Sequence, residues 1–395
     1  MATTEMPLYM RREEFDPAPD LAAIRDAEGV TRVRMPYGEE AWLVTRFDDV
    51  RAVLGDWRRF SNARAGARQL MAGGDAKEAA ARRAGQMLLF DPPDHTRLRR
   101  MLTPEFTVRR IRRLQPRIQE IVDDHLDAME RQGAPADLVQ AFALPVPSLV
   151  ICELLGVPYA DREGFQRRSG RLLDLALPME ERRAAQLESR AYMSELVTRA
   201  QAAPGDDLIG MLIREHGDEL SHDELVGIAH LLLLAGHETT SNMLGLGTLA
   251  LLRHPDQLAR LRAEPSLVEP AVEELMRWLS IVHSGTSKVT TEDVEIAGVR
   301  IPEGAIVLCA LPAANRDPEV AESPDRLDVT RAATAHAAFG HGLHHCLGAP
   351  LARMEMRTAF PALFARFPGL RETGTPPEFR ATSFIYGLTG FEVAW

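Results

Sequence analysis

The sequence predicts a mainly α-helical protein with a small β portion. Three observations predict it. A well-capped apolar run from Ser221 to Arg253 is long enough to cross a whole domain, amphipathic helical patterns recur along most of the 395 residues, and strand-like alternation is confined to three short stretches. With 45% hydrophobic and 26% charged residues, the chain has apolar material for a large core. No internal repeat and no linker divides it, so residues 1–395 read as one domain, with 1 to about 15 expected to be disordered.

Taken in order, the first strand-like segment is 41–46 (AWLVTR). The stretch 61–88 is rich in Ala, Gly and Arg and weakly periodic, and reads as a mobile loop with short helical pieces. Helices are expected at about 92–102, 109–131, 145–156, 181–202, 265–279 and 349–366, with 165–195 a second mobile region. In the long run, Ser221 and Glu224 stand at capping-box spacing. About 33 residues at 1.5 Å each give roughly 50 Å. Leu231 to Ala235 are apolar on all sides, which predicts central burial, and Gly236 to Thr239 interrupt the run too soon for a membrane span. The segment 294–311 reads as a hairpin turning at Pro302-Glu303-Gly304, and 382–393 as a C-terminal hairpin.

Charge and cysteine usage exclude several classes. A net charge of −11 argues against nucleic-acid binding. Cys152, Cys309 and Cys346 are too far apart for a CxxC site or a disulfide framework, and the first twenty residues have no apolar core. A cytoplasmic, monomeric protein with no membrane segment is expected. Only Lys77 and Lys288 are lysines, so either one stands out at a functional position.

The decapeptide Phe339–Gly348 (FGHGLHHCLG) concentrates chemistry. Zinc held by His341, His344, His345 and Cys346 is one reading, but adjacent residues such as His345 and Cys346 rarely converge on one tetrahedral ion. HETTS at 237–241 lacks the second histidine of a zinc-protease helix, and GHGLHH at 340–345 lacks the last glycine of a dinucleotide fingerprint. The other reading makes Cys346 a lone ligand. Gly340 and Gly342 allow a tight loop, a helix follows, and its N-terminus favours a thiolate. A thiolate beside a loop that admits a flat group suits haem iron.

Phe339-Gly340-x-Gly342-x-His344-x-Cys346-x-Gly348 resembles, position for position, the haem-binding signature of the cytochrome P-450 superfamily. Ala235-Gly236-His237-Glu238-Thr239 resembles that family's oxygen-activating helix, and Glu274-Leu275-Met276-Arg277 its Glu-x-x-Arg. Arg331 in RLDVTR completes a charged triad, with Leu327 where relatives carry Phe. The resemblance runs from about residue 15 to Trp395 and is nearest the actinobacterial enzymes that oxidise macrolides and other polyketides.

The resemblance implies the P-450 fold, with the long central helix over a heme b (iron protoporphyrin IX) and the cysteine loop beneath it. It implies Cys346 as axial iron ligand, with Phe339, Gly340, Gly348 and Ala235 also against the cofactor. His95 and Arg99, one turn apart on a helix capped by Asp91, would bind one haem propionate; His344 and Lys288, the latter where most relatives have arginine, would bind the other. Glu238 and Thr239 would supply protons during oxygen activation, and Glu274, Arg277 and Arg331 would fix the cysteine loop. Leu231, Leu232, Ala235, Val282, Phe384 and Ile385 would touch the substrate. Arg109, Arg110, Arg112 and Arg113 would receive an acidic ferredoxin, itself reduced through a ferredoxin reductase and NAD(P)H. The expected activity is insertion of one oxygen atom from O2 into a bulky hydrophobic secondary metabolite, by hydroxylation or epoxidation. A terpenoid, steroid or aromatic substrate is the alternative within the fold, and a non-catalytic haem carrier or sensor the alternative outside catalysis.

Overall fold

The computed structural model describes residues 6–35, 38–71, 76–158, 161, 164, 171, 177–332 and 334–395. Its central helix runs from His222 to Arg253, and the capping box forms as expected: the Ser221 hydroxyl accepts from the Glu224 N–H, and the Glu224 carboxylate accepts from the Ser221 N–H. Because Leu233, Leu244, Leu246, Leu249 and Leu251 point to different sides and all are fully buried, this helix can only lie inside the core. Pro145–Leu155, Met179–Ala202 and the C-terminal helix Ala349–Arg366 pack around it. Among the described residues no helix is long and apolar enough to cross a membrane.

Two expected helices are broken. The 109–131 segment divides into Val108–Ile111, a tight turn at Arg112–Leu114, and Gln115–Gln132. Pro116, which has no N–H to donate, stands in the first turn of the second helix, where none is needed. The 265–279 segment likewise opens as a 3-10 turn at Pro265–Leu267 and becomes α-helical over Val268–Leu279. Helices Pro19–Asp26, Phe47–Gly55, Leu208–His216 and Pro255–Ala263 were not anticipated.

The main sheet has five strands in the order Val30–Arg34, Glu40–Val44, Ile306–Cys309, Thr286–Thr290, Phe60–Ser61. Ile306–Cys309 is parallel to Glu40–Val44 and antiparallel to Thr286–Thr290. The expected turn at Pro302-Glu303-Gly304 therefore does not close a hairpin. The hairpin is Val294–Ile296 with Val299–Ile301, and it turns at Ala297 and Gly298, both at positive φ. Pro302–Gly304 instead leads the chain to a different partner strand.

The amino-terminal expectation also changes. From Met6 onward the amino-terminal segment is folded: Leu8–Met10 forms a 3-10 turn, Tyr9 and Met10 are buried, and the Arg12 guanidinium donates to the carbonyls of Leu279 and Ser280. The helical pieces expected in 61–88 are Asn62–Met71 and Ala76–Arg83. Of the second region, 165–170 and 172–176 lie outside the described residues, and Met179–Ala202 is a continuous helix.

Candidate active site

Cys346 lies two residues before the N-cap of Ala349–Arg366. The loop before it is held by its own backbone: the Cys346 N–H donates to the Phe339 carbonyl at 2.8 Å, and the Gly340 N–H to the Ala337 carbonyl at 2.8 Å. Gly340 and Gly342 both sit at positive φ. Gly342 meets a second demand, since a Cβ there would come within 2.8 Å of Gly55 Cα and of the Leu54 carbonyl oxygen. No side chain fits. The thiol opens into a cavity rather than to bulk water. Burial pushes the thiol up, and the Gly348 and Ala349 N–H groups and Arg99 bring it part of the way back. A metal cation at the sulfur would favour the thiolate.

The cavity leaves about 1860 Å³ between the atoms, part of it open to solvent. One wall is the cysteine loop with Phe339, Gly340, His344 and Gly348; another is the central helix with Leu231, Leu232, Ala235 and Thr239. Between them stands an unusual set of donors. The His95 and His344 rings are 4.2 Å apart, both buried nitrogens of His95 lack a hydrogen-bond partner, and His344 is within reach of the Phe90 backbone alone. Burial and the charges of Lys288, His95 and Arg99 hold His344 down to about 3; burial and Arg99 also lower His95. Lys288 is buried on Thr286–Thr290, and burial lowers its ammonium as well. Arg99 donates to the His345 carbonyl at 2.7 Å. The Asp91 carboxylate offsets part of the charge at His95 and Lys288 but is itself bonded to Ser61 and Asn62, so the crowded donors stay costly unless a further anion joins them. A flat group with two carboxylates and a metal facing Cys346 meets that need, so these residues fit haem.

One supporting expectation fails here. Asp91 does not cap the helix Asp94–Leu102, whose N-cap is Pro93. Its carboxylate instead accepts from the Asn62 N–H at 2.9 Å, the Ala63 N–H at 3.4 Å and the Ser61 hydroxyl, at the start of Asn62–Met71. Only its backbone carbonyl serves the His95 helix, accepting from the His95 N–H at 3.0 Å. His95 and Arg99 still share a face.

On the central helix the two expected proton donors point different ways. The Thr239 hydroxyl faces the cavity and donates to the Ala235 carbonyl at 2.7 Å. The Glu238 side chain is buried away from the cavity lining, where its Oε2 accepts from Arg380 at 2.8 Å. The helix is continuous through this turn. Gly236 is needed because a Cβ would come within 2.8 Å of Ile151 on the neighbouring helix. Val282 lines the cavity, but Phe384 and Ile385 are not among its lining residues. They occupy a turn, not a strand, with the Arg182 guanidinium 5.9 Å from the Phe384 ring centre.

The charged triad assembles. Arg277 grips Glu274 with two nitrogens, at 2.8 and 2.9 Å, and Arg331 reaches the same carboxylate at 3.1 Å. Arg277 also donates to the Asn315 carbonyl at 2.8 Å, and the Asn315 side chain accepts from the Ala337 N–H at 2.7 Å. That path ends at the residue whose carbonyl holds Gly340, so the triad is tied to the cysteine loop. A second support was not legible in the sequence: Arg353 stacks over Phe339 at 4.5 Å and is held by Glu273, which also receives His336 at 3.2 Å. His345 contributes its carbonyl, and His341 lines the cavity beside Gly55. Of the four patch arginines, Arg109, Arg112 and Arg113 are exposed, whereas Arg110 is paired with Glu105 at 2.8 Å.

The comparisons agree with this geometry. The Cytochrome P450 family pattern matches residues 154–389. The chain is 51% identical to Cytochrome P450 FAS1 of Rhodococcoides fascians over 100% of its own length and 99% of the relative's. It is similar to the solved structure of P450 StaH from glycopeptide antibiotic A47934 biosynthesis, at 46% identity and TM-score 0.88, over 99% of this chain and 100% of that one. CYP105P1 in complex with filipin I matches at 41% identity and TM-score 0.89, over 98% and 97%. The chain therefore belongs to the cytochrome P450 family, and is a monooxygenase whose cofactor is haem b.

Proposed function

We propose that this monooxygenase inserts one oxygen atom into a bulky, hydrophobic, macrolide- or polyketide-like secondary metabolite. Hydroxylation is the expected chemistry and epoxidation the variant for an alkene. The observation that carries the reading is one cavity in which Cys346 and Thr239 stand on separate walls while Leu231, Leu232 and Val282 make the guest side apolar. The relatives support a secondary metabolite as the guest: one is named for glycopeptide antibiotic biosynthesis and another is solved with filipin I.

In this reading Cys346 ligates the iron, and Phe339, Gly340 and Gly348 keep the approach flat. His95 and Arg99 bind one cofactor carboxylate, and His344 with Lys288 the other. Lys288 gives this contact as a point charge, without the fork an arginine would offer. The bound haem supplies reductive activation of O2 with electrons delivered from outside. Ala235 leaves room beside it, and Thr239 and Glu238 deliver the protons. Electrons arrive from a ferredoxin at the arginine face, and the enzyme works as a cytoplasmic monomer.

Cys346→Ala is the test of the ligand. The reduced, CO-bound variant should lose the red-shifted Soret band, and an unchanged band would sink the assignment. Titration with macrolides and other polyketides, read by the substrate-induced Soret shift, tests the substrate class; a response confined to small aromatics would refute it.

A further inference from the structure

The turn that carries the chain from the helix Val268–Leu279 to the cavity wall is held by a residue far away in the sequence. Ser280 closes that helix at φ 42°, in the left-handed region that a residue with a Cβ rarely adopts. Such a conformation persists only where its surroundings fix it. The Ser280 hydroxyl donates to the Arg277 carbonyl at 2.8 Å and accepts from the Asn315 amide at 2.7 Å. Its carbonyl accepts from Arg12 at 2.6 Å, and the Leu279 carbonyl accepts from the same guanidinium at 2.7 Å. One flat fork thus serves two carbonyls that the helix end leaves without an intrahelical partner.

Beyond Ser280 the chain becomes the wall itself. Ile281 and Val282 line the cavity, and the Ile281 carbonyl accepts from the N–H groups of His283 at 2.9 Å and Tyr386 at 2.8 Å. The Tyr386 ring lies against Arg12, whose guanidinium carbon is 4.7 Å from the ring centre. His283 is fully buried, with its ring 5.2 Å from that of Tyr386 and its Nε2 2.6 Å from the Ser383 carbonyl. Arg12 therefore touches both pieces that frame this side of the cavity, the turn into Ile281 and the loop that ends at Tyr386. The segment bearing Arg12 has anchors of its own. Tyr9 and Met10 are buried, Glu14 pairs with Arg253 at 2.6 Å and Asp16 with Arg316 at 3.1 Å. None of these involves Arg12, which makes it a fixed post against which turn and loop are set.

We propose that Arg12 is a positioning residue for guest specificity: by setting Ser280 and Tyr386 against one guanidinium, it fixes how far Ile281 and Val282 reach into the cavity, and so which bulky guests fit. Arg12 itself touches no guest. Its effect passes through the turn and the loop to the wall. Protein interiors are packed densely enough that a small shift of a wall changes the fit of anything resting on it. A ligand too small to reach the wall is indifferent to that shift. Replacing the fork by an apolar chain leaves both carbonyls without their donor, so the turn and the wall relax together. The proposal rests on the reading that the guest lies against Val282.

The test uses the haem-loaded enzyme and two azole probes, imidazole and the bulky clotrimazole, each titrated by the Soret shift it causes. For Arg12→Met the Kd of clotrimazole should rise about tenfold while that of imidazole stays within about twofold, the scale on which residues remote from a site alter it through a connected network. A wild-type ratio of the two Kd values in this variant overturns the proposal. Glu14→Gln removes another tie of the same segment, to Arg253 of the central helix, and should leave the ratio unchanged. An equal shift there would make the effect a general loosening of the segment, and overturns the proposal as well. If Arg12→Met does not fold, Arg12→Lys keeps the charge without the fork. It should raise the ratio about threefold, and an unchanged ratio overturns the proposal. Val282→Ala separates this inference from the reading beneath it. A clotrimazole Kd unmoved by Val282→Ala takes the wall out of the guest site and the proposal with it; a Val282 effect beside an unaffected Arg12→Met removes the proposal alone.

Discussion

A threonine hydroxyl that bonds back to the carbonyl four residues earlier is common in helices, and Thr239 does this with Ala235. What sets Thr239 apart is the cavity before it, which no other group on that turn supplies with a hydroxyl except its neighbour Thr240. Thr239→Ala should leave the Soret shift on substrate binding intact and divert a larger share of NAD(P)H into peroxide; normal coupling to product would count against its role. Glu273 permits a pH prediction. Burial pushes its carboxyl up, but hydrogen bonds and charges from His336 and Arg353 bring it down to about 2 from 4.5. A depressed carboxyl stabilises the fold above its unfolded value, and that contribution is lost as pH falls from about 4.5 toward 2. Glu273→Gln should therefore flatten the loss of urea midpoint in that window, and an unchanged slope would contradict the pairing. Cys346, His344 and Thr239 were legible because each lies in a short local pattern. Arg380 was not, because its partner stands 142 positions away and nothing around it repeats a motif.

Elements were legible where one segment carries its own signals. The central helix has a cap at one end and continuous apolar residues behind it, so its extent could be read within a residue. Strand partners were not legible. Ile306–Cys309 looks equally able to pair with either neighbour, and only the sheet decides that Glu40–Val44 and Thr286–Thr290 flank it. The glycines of the central helix are another case. In isolation, Gly227→Ala should stabilise a helix by about 1 kcal/mol. Here the new Cβ would collide with the Ala84 backbone carbonyl, which no rotamer change can relieve. Overpacking of that kind costs roughly 1–3 kcal/mol, so the net sign reverses. Gly227→Ala should lower the melting temperature and loosen 76–85 against the helix, seen as faster amide exchange there; a stabilised protein would show the contact to be looser than it stands.

At the scale of the whole molecule, charge is the main legible property. A chain of net charge −11 carries an exposed cluster of Arg109, Arg112 and Arg113 beside the C-terminal helix that follows Cys346. Neutralising these three should raise the apparent KM for an acidic ferredoxin several-fold at low salt, and the difference should shrink as salt screens it. Identical KM values at low salt would remove the docking face. Arg110 matters less, because Glu105 already neutralises it.

Asp91 brings these scales together. Its carboxylate anchors the first turn of Asn62–Met71, and its carbonyl anchors the first turn of the helix carrying His95 and Arg99. Two stretches of the cavity rim thus hang from one residue. A guest that displaces one stretch should therefore pull on the anchor of the other, tying tolerance for size to the hold on His95 and Arg99.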